Sequence, residues 1–337
     1  MHEVSSTEEI EQIKMERPHV VLLGAGASRA AFPSGDAFAR RLPLMKDFYE
    51  IVPIAEILDG AGINHKGKNF EEIYSDISES ETLSEIKNDL ELCVFDYFSS
   101  LKMPDIPTIY DHLILSLRKK DVIATFNWDP FLIQAIRRNR IQKEFLPTIL
   151  FLHGNVMAGF CQKDKVHGVR GGICPKCKME FEPSRLLFPV KSKPYNEFPE
   201  ISDAWRYLEL AFKSAFMITI FGYGAPISDE SAIRLLERAW GSSEDRHMEQ
   251  FEIVDIRPHD ELLNSWERFI HSHHYEIHDD IYDSWLFNHP RRTGEAYINQ
   301  YLEAKFIENN PIPQNVTFPE LWDWVSSLMS REHPSLH

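Results

Sequence analysis

The chain has 337 residues, 43% apolar and 26% charged, proportions that suit one large α/β domain with insertions or two domains, each burying a real core. Lys and Arg number 36 against 52 Asp and Glu, a net charge of −16 that argues against direct nucleic-acid binding, which needs a basic face. Met1-His2-Glu3-Val4 is no signal peptide, no apolar run approaches the roughly 20 residues of a membrane span, and four cysteines make no disulfide framework, so a cytoplasmic protein away from membranes is expected.

In chain order, residues 5–16 read as a short polar helix leading into an apolar strand at 19–23, which runs into Gly24-Ala25-Gly26-Ala27-Ser28. The stretch from 36 to 119 is too long for one crossover helix, so it predicts an inserted helical layer. Its helical spacing shows at Phe38, Leu42, Leu44, Phe48 and Ile51, and again at Leu90, Cys93, Val94, Tyr97 and Phe98, with a Gly- and Lys-rich loop over 60–69. A helix over 107–119 feeds a strand at 122–126 that ends in Asn127-Trp128-Asp129, and a helix leaves from Pro130. The strand at 149–152 ends in His153-Gly154.

Residues 155–185 change character, being rich in Gly, Lys and Cys with little periodicity, and predict a small inserted module. A helix over 202–213, a strand at 215–221, Gly222-Tyr223-Gly224, a helix over 229–239, a strand at 251–255, a helix over 260–271 and a last strand at 275–277 follow, with a helical remainder. The fold class is therefore α/β, a doubly wound Rossmann-type parallel sheet with a helical insertion and a small zinc-knuckle-like module. The divisions fall at 1–280 for the nucleotide-binding domain (insertion about 36–119, cysteine module about 155–185) and 281–337 for a C-terminal helical extension.

Three polar clusters at the carboxyl ends of parallel strands converge on one crevice, where doubly wound sheets bind nucleotides. Each residue also has a plainer duty. The Gly24 and Gly26 turn, which can hold a diphosphate on its N–H groups, can equally be a mere strand-to-helix connection. Asp129 can cap the helix starting near Pro130, and His153 can be a hydrogen-bonded core histidine. Cys174-Pro175-Lys176-Cys177 is a compact metal knuckle, with Cys161 a third ligand and His167 or Asp164 the fourth. Asp164 stands where a second C-x2-C pair would have its cysteine; a Cys3His zinc site with His167 is expected, against a metal-free remnant. Cys93 reads as a core residue.

This ordered set, with Phe181-Glu182-Pro183 after the cysteines and Val254-Asp255 later, resembles the sirtuin family over residues 19–260. The resemblance implies an NAD-binding domain in which Gly24, Ala25, Gly26 and Ser28 hold the diphosphate and Gly222 and Tyr223 line the pocket. It also implies that Asn127 and Asp129 flank the nicotinamide ribose and that His153 acts as base. Asp255, at a strand end, can accept from the adenosine ribose hydroxyls.

The departures point away from protein deacylation. Ala31-Phe32-Pro33-Ser34-Gly35-Asp36 replaces the family's Gly-Ile-Pro-Asp-Phe-Arg, and Phe188-Pro189-Val190-Lys191 replaces the segment that pairs with an acyl-lysine peptide, Pro189 removing a donor. Gly222-Tyr223-Gly224, with Ser228 and Asp229 following, replaces Gly-Thr-Ser. The chain is similar to divergent bacterial sirtuin-like proteins of antiphage defence, which implies an NAD nucleosidase releasing nicotinamide and ADP-ribose. An NAD-dependent deacylase and a non-catalytic NAD or ADP-ribose sensor are the alternatives. Because unrestrained NAD cleavage is toxic, a homo-oligomer and a partner ATPase or other sensor protein encoded nearby are expected.

Overall fold

The computed structural model describes residues 3–5, 16–139, 141–190, 195, 197–225, 229–242, 244, 246, 248–271 and 273–332. The polar helix expected over 5–16 falls almost wholly outside them, as do Lys191 and Ser228. The strands, in chain order, are β1 Glu3–Val4, β2 His19–Leu23, β3 Val122–Thr125, β4 Thr148–Phe151, β5 Ala158–Cys161, β6 Val166–Val169, β7 Glu182–Pro183, β8 Met217–Phe221, β9 Gln250–Val254, β10 Tyr275–His278 and β11 Phe306–Ile307.

Six of these form one parallel sheet in the order β10-β9-β8-β2-β3-β4. The chain runs outward from β2 through β3 to β4, then returns to β8 beside β2 and runs outward the other way. That is the doubly wound order, and its switch point lies between β2 and β8. Strand parity sorts the core into two layers. Val20, Leu22, Val122, Ala124, Ile218 and Ile220 meet the helices Pro199–Ser214, Glu230–Trp240 and His259–Trp266. Val21, Leu23 and Ile123 meet Ile109–Ser116, Phe131–Asn139 and the C-terminal segment.

The inserted layer after β2 contains Phe48–Ile51, Ala55–Gly60, Phe70–Ser78 and Ser84–Ser100, with a loop across 61–69. The helix suggested by Phe38, Leu42 and Leu44 does not form; residues 36–47 are turns and irregular chain. The carboxylate of Asp36 accepts from the N–H groups of Phe38, Arg40 and Lys102 at 2.9, 2.9 and 3.0 Å, and Ala39 sits at φ 58°. Local side-chain bonds compete with the helical ladder there and win.

Residues 281–332 share the main core through Ile281, Leu286, Phe287, Ile312, Leu321 and Val325. Arg291 donates to the carbonyls of Leu115, Leu117 and Phe145 and pairs with Glu332, while Arg118 pairs with Glu295. On the sheet itself, fully buried Glu252 accepts from Thr219 Oγ1 at 2.7 Å and from the Trp285 N–H at 2.8 Å. Its carboxylate also lies 3.3 Å from His278 Nε2, and hydrogen bonding to Glu252 pushes that imidazole up to about 10. These polar ties fix the C-terminal segment to one face of the sheet.

The loops leaving β2 and β8 touch backbone to backbone. Gly24 N donates to Phe221 O at 3.0 Å and Gly26 N to Gly222 O at 2.9 Å. A Cβ on Gly222 would lie 2.1 Å from Ala27 N, and its φ is +61°. Gly222→Ala should therefore lower stability by roughly 3 kcal/mol or more, as backbone clash adds to left-handed strain. Gly171→Ala, at φ +77° but facing open space, should cost only roughly 1–2 kcal/mol. Urea unfolding of the two variants checks this, and equal losses would contradict the close crossing.

Candidate functional site

The site lies at the carboxyl ends of β2, β3, β4 and β8, around the switch point. The helix Ala25–Ala31 begins directly after Gly24 and carries Ser28 inward, where it is 4% exposed. Asn127, one residue past a bulky strand-end Phe126, is fixed by its own N–H on Thr125 Oγ1 at 3.0 Å. Its Nδ2 donates to Gly24 O at 2.8 Å and to Ser28 Oγ at 2.9 Å. Gly24 O can only accept, so the amide orientation is determined and its carbonyl oxygen remains as an acceptor.

Ser28 Oγ in turn donates to Asp129 Oδ2 at 2.6 Å and lies 2.6 Å from Tyr110 Oη. Asp129 also accepts from the Phe131 N–H at 3.2 Å, so its helix-capping duty is real alongside its place in the network. Its backbone carbonyl accepts from Asn155, which laces the β3 loop to the β4 loop. Burial pushes the Asp129 carboxyl up to about 6, against the donors Ser28 and Phe131. Among the described residues it makes no ion pair.

His153 forms the second half of the site. Its ring is edge-on to Phe126, with centroids 4.9 Å apart, and Nε2 is 3.9 Å from Asp229 Oδ1. Asp229 Oδ2 accepts from Tyr223 Oη at 2.8 Å, and Tyr223 stacks on Phe126 at 4.0 Å. Tyr223 thus joins the two halves. Gly154, at φ +76°, lets the Arg185 carbonyl pass where any Cβ would sit 1.8 Å away. The chain returning from the cysteine module is thereby seated beside His153, whose carbonyl accepts from the Leu187 N–H at 2.9 Å.

Two expectations change. Gly24 and Gly26 are not diphosphate donors through their own N–H groups, which are already given to Phe221 O and Gly222 O; their lack of side chains serves the loop crossing with Gly222. The Ser28 hydroxyl is likewise committed to the buried network. Ala25 opens the helix at the crevice. Asp255 sits at the carboxyl end of β9, accepting from the Arg257 N–H at 3.0 Å and pairing with its guanidinium at 3.2 Å. Tyr110 and Asp229 complete the network, and neither carries a sequence signal of its own. Tyr110 lies far from every motif, on the helix Ile109–Ser116, and only the tertiary fold brings it to Ser28.

The cysteine module is a three-stranded antiparallel sheet, β6-β5-β7, with a small core of Cys161, Cys174 and Phe181. Cys161, Asp164, Cys174 and Cys177 place one ligand atom each within 4.8 Å of the others. Cys161 Sγ is 3.5 Å from Cys177 Sγ and 3.6 Å from Asp164 Oδ2, and Cys174 Sγ is 3.3 Å from Asp164 Oδ2. Zinc–ligand bonds of roughly 2.0–2.3 Å in a tetrahedron require such edges. Hydrogen bonding to the Asp164 carboxylate pushes the Cys177 thiol up to about 12 and holds the Asp164 carboxyl below its ordinary value, so a divalent cation binding here would displace the thiol proton. The site is Cys3Asp and fits zinc.

His167 is not the fourth ligand. It pairs across the hairpin with Phe160, against whose ring it rests at 4.9 Å, and strand alternation puts Phe160 and the adjacent Cys161 on opposite faces.

No protein-family model and no curated protein matches the sequence. Among solved structures the chain is similar to a Sir2 homolog–NAD complex, at 13% identity and TM-score 0.36, covering 97% of this chain and 98% of that one. A structure described as the basis for the mechanism and regulation of Sir2 enzymes gives 12% identity and TM-score 0.39, over 96% and 97%. Sir2 bound to acetylated peptide gives 16% and 0.33, over 86% and 93%. Likenesses this distant assign no role to any residue. The class that the strand order itself defines is a doubly wound α/β protein with an inserted Cys3Asp module. Among the described residues, no helix is long and apolar enough to cross a membrane.

Purified without a histidine tag, the protein should carry about one zinc per chain. Asp164→Ala should lose most of it on dialysis against a mild chelator and His167→Ala should keep it; the reverse pattern in metal analysis would contradict the ligand set.

Asp129 gives a pH test. Its pKa is raised on folding, from 3.8 to about 6, so the native state binds the extra proton between those values and ionisation costs folding about 3 kcal/mol. That cost is absent below pH 4, grows through pH 6 and is complete above it. Asp129→Asn should therefore gain stability relative to wild type between pH 4.5 and pH 8. A pH-independent difference in urea unfolding would mean that Asp129 titrates normally.

Proposed function

We propose that the crevice cleaves the nicotinamide–ribose bond of NAD, releasing nicotinamide and ADP-ribose, and that the protein is an NAD-depleting effector of antiphage defence. The observation that supports this best is the joined network of Asn127, Ser28 and Asp129, with His153 at the end of the adjacent strand, at the switch point where doubly wound sheets bind nucleotides.

The bond between C1′ and the pyridinium nitrogen breaks with its electron pair going to the nitrogen, so nicotinamide leaves neutral and no strong acid is needed. Positive charge builds on the ribose as an oxocarbenium ion. Asp129, buried and without a cationic partner among the described residues, is the preorganised anion for that charge. The Asn127 carbonyl oxygen, fixed by the two bonds its amide nitrogen makes, positions a ribose hydroxyl and the attacking water. His153 takes the water's proton, and Asp229 stabilises the imidazolium that results. Gly222, Tyr223, Ala25 and Ser28 shape the pocket, with Asp255 toward the adenosine ribose.

The segment after the cysteine module supports hydrolysis over deacylation. Phe188 stacks on Tyr74 at 4.8 Å, and the Pro189 carbonyl accepts from Ser75 Oγ at 3.4 Å. Chain that would pair with a peptide is instead docked on the helical insertion. Restraint of the activity belongs, in this reading, to self-assembly or to a partner ATPase or sensor protein, and the acidic chain works in the cytoplasm.

Asn127→Ala should abolish nicotinamide release without unfolding. His153→Ala should slow release by roughly 10²–10⁴-fold, while NAD affinity in calorimetry changes by about tenfold or less. Wild-type turnover in either variant removes that residue from the mechanism; a folded His153→Ala protein that binds no NAD makes it a binding residue.

A further inference from the structure

The sheet has an open edge. Thr148 N donates to Asp121 O and Leu152 N to Thr125 O, both at 2.9 Å, so alternation turns the N–H groups of Ile149 and Phe151 away from β3. No strand pairs with this outer side of β4 among the described residues. An unpaired edge is a template for another chain.

A cavity of about 650 Å³ lies along that edge, walled by the β5–β6 hairpin and the helix Pro199–Ser214. Its rim carries two exposed apolar side chains, Tyr207 at 47% and Leu210 at 61% exposure. Its lining includes Glu200, which is only 7% exposed and whose Oε2 has no hydrogen-bond partner among the described residues. Asp203 adds a second carboxylate, paired with a largely exposed Arg206. A buried carboxylate oxygen without a donor is costly. His167 and Arg206 also line the cavity, but among the described residues neither bonds Glu200 Oε2, so the place of a donor there is open.

We propose that this groove binds an extended segment of a partner protein, which adds as a strand to the outer edge of β4 and delivers a lysine or arginine side chain to Glu200. Main-chain bonds to Ile149 and Phe151 supply sequence-independent affinity, Tyr207 and Leu210 cover apolar residues of the segment, and the Glu200 carboxylate selects the cation. The net charge of −16 favours a basic segment over a neutral one. The site is separate from the crevice and does not depend on how NAD is used.

The test uses the full-length zinc-loaded protein and four fluorescein-labelled nine-residue peptides of alternating Thr and Val. Their central residue is arginine, norleucine or glutamate, and the fourth is the arginine peptide N-methylated on every amide. The arginine peptide should bind at least tenfold more tightly than the norleucine and glutamate peptides in fluorescence anisotropy, and N-methylation should abolish its binding. Bound peptide should slow amide exchange at Ile149 and Phe151. Glu200→Gln should reduce the arginine peptide to the norleucine level while zinc content and the urea-unfolding midpoint stay unchanged. If that variant fails to fold, the peptide series on the wild-type protein decides alone. Equal binding of the three central residues, binding indifferent to N-methylation, protection confined to other amides, or no binding at millimolar peptide would each overturn the proposal.

Discussion

The structure depends on the crossing of two loops at the switch point, where the backbone after β2 lies on the backbone after β8. With Gly26 N on Gly222 O at 2.9 Å, there is no room for a side chain on either partner. This contact sets the start of the helix that carries Ser28, and Ser28 then gathers Asn127, Asp129 and Tyr110 into one hydrogen-bonded set. It also fixes Gly222, after which Tyr223 turns inward onto Phe126 and holds Asp229 near His153. Both halves of the site are therefore placed by main-chain packing rather than by long, flexible side chains, which suits a reaction that relies on preorganised dipoles and charge.

The site is built at some cost to stability. A carboxyl pushed up to about 6 by burial, a buried serine hydroxyl and a buried amide are kept where an apolar cluster would pack more simply. The rest of the molecule offsets this with extensive cores on both sheet faces and with a C-terminal segment locked by buried arginines. Fully buried Arg292 and the Arg291 guanidinium, spread over the carbonyls of Leu115, Leu117 and Phe145, hold that segment against the sheet. The Cys3Asp module plays a different part: its own core is only Cys161, Cys174 and Phe181, its four ligand atoms are spaced to take a cation, and its returning chain passes Gly154 to flank His153.

Much of this was legible in the sequence, because periodicity and strand-end chemistry are local. Five of the six strands of the main sheet are short, mainly apolar runs, β10 (Tyr275-Glu276-Ile277-His278) being the exception, and the clusters Gly24–Ser28, Asn127–Asp129 and His153–Gly154 mark the ends of β2, β3 and β4. Asp164 was legible as the fourth ligand position by its spacing from Cys161, yet the ordinary preference for histidine favoured His167; only the register of β5 with β6 decides between them. The glycine loop misled in another way, since a fingerprint of small residues does not tell whether a ligand or another backbone makes the close approach. Tyr110 and Asp229, and the polar row His19, Thr219 and Glu252 beneath the C-terminal segment, depend on contacts distant in sequence and carry no local signature. The helix expected near Phe38 failed for a local reason that spacing alone misses, the competing carboxylate of Asp36.

The central claim is that water, rather than an acylated peptide, attacks C1′ of the nicotinamide ribose in this crevice. It is tested most directly by incubating the protein with NAD in 18O-labelled water, without peptide, and weighing the products. The account predicts nicotinamide and ADP-ribose in equal amounts, with one 18O atom in the ADP-ribose. Release that requires an acyl-lysine peptide, or the absence of any cleavage by the correctly assembled protein, would contradict it.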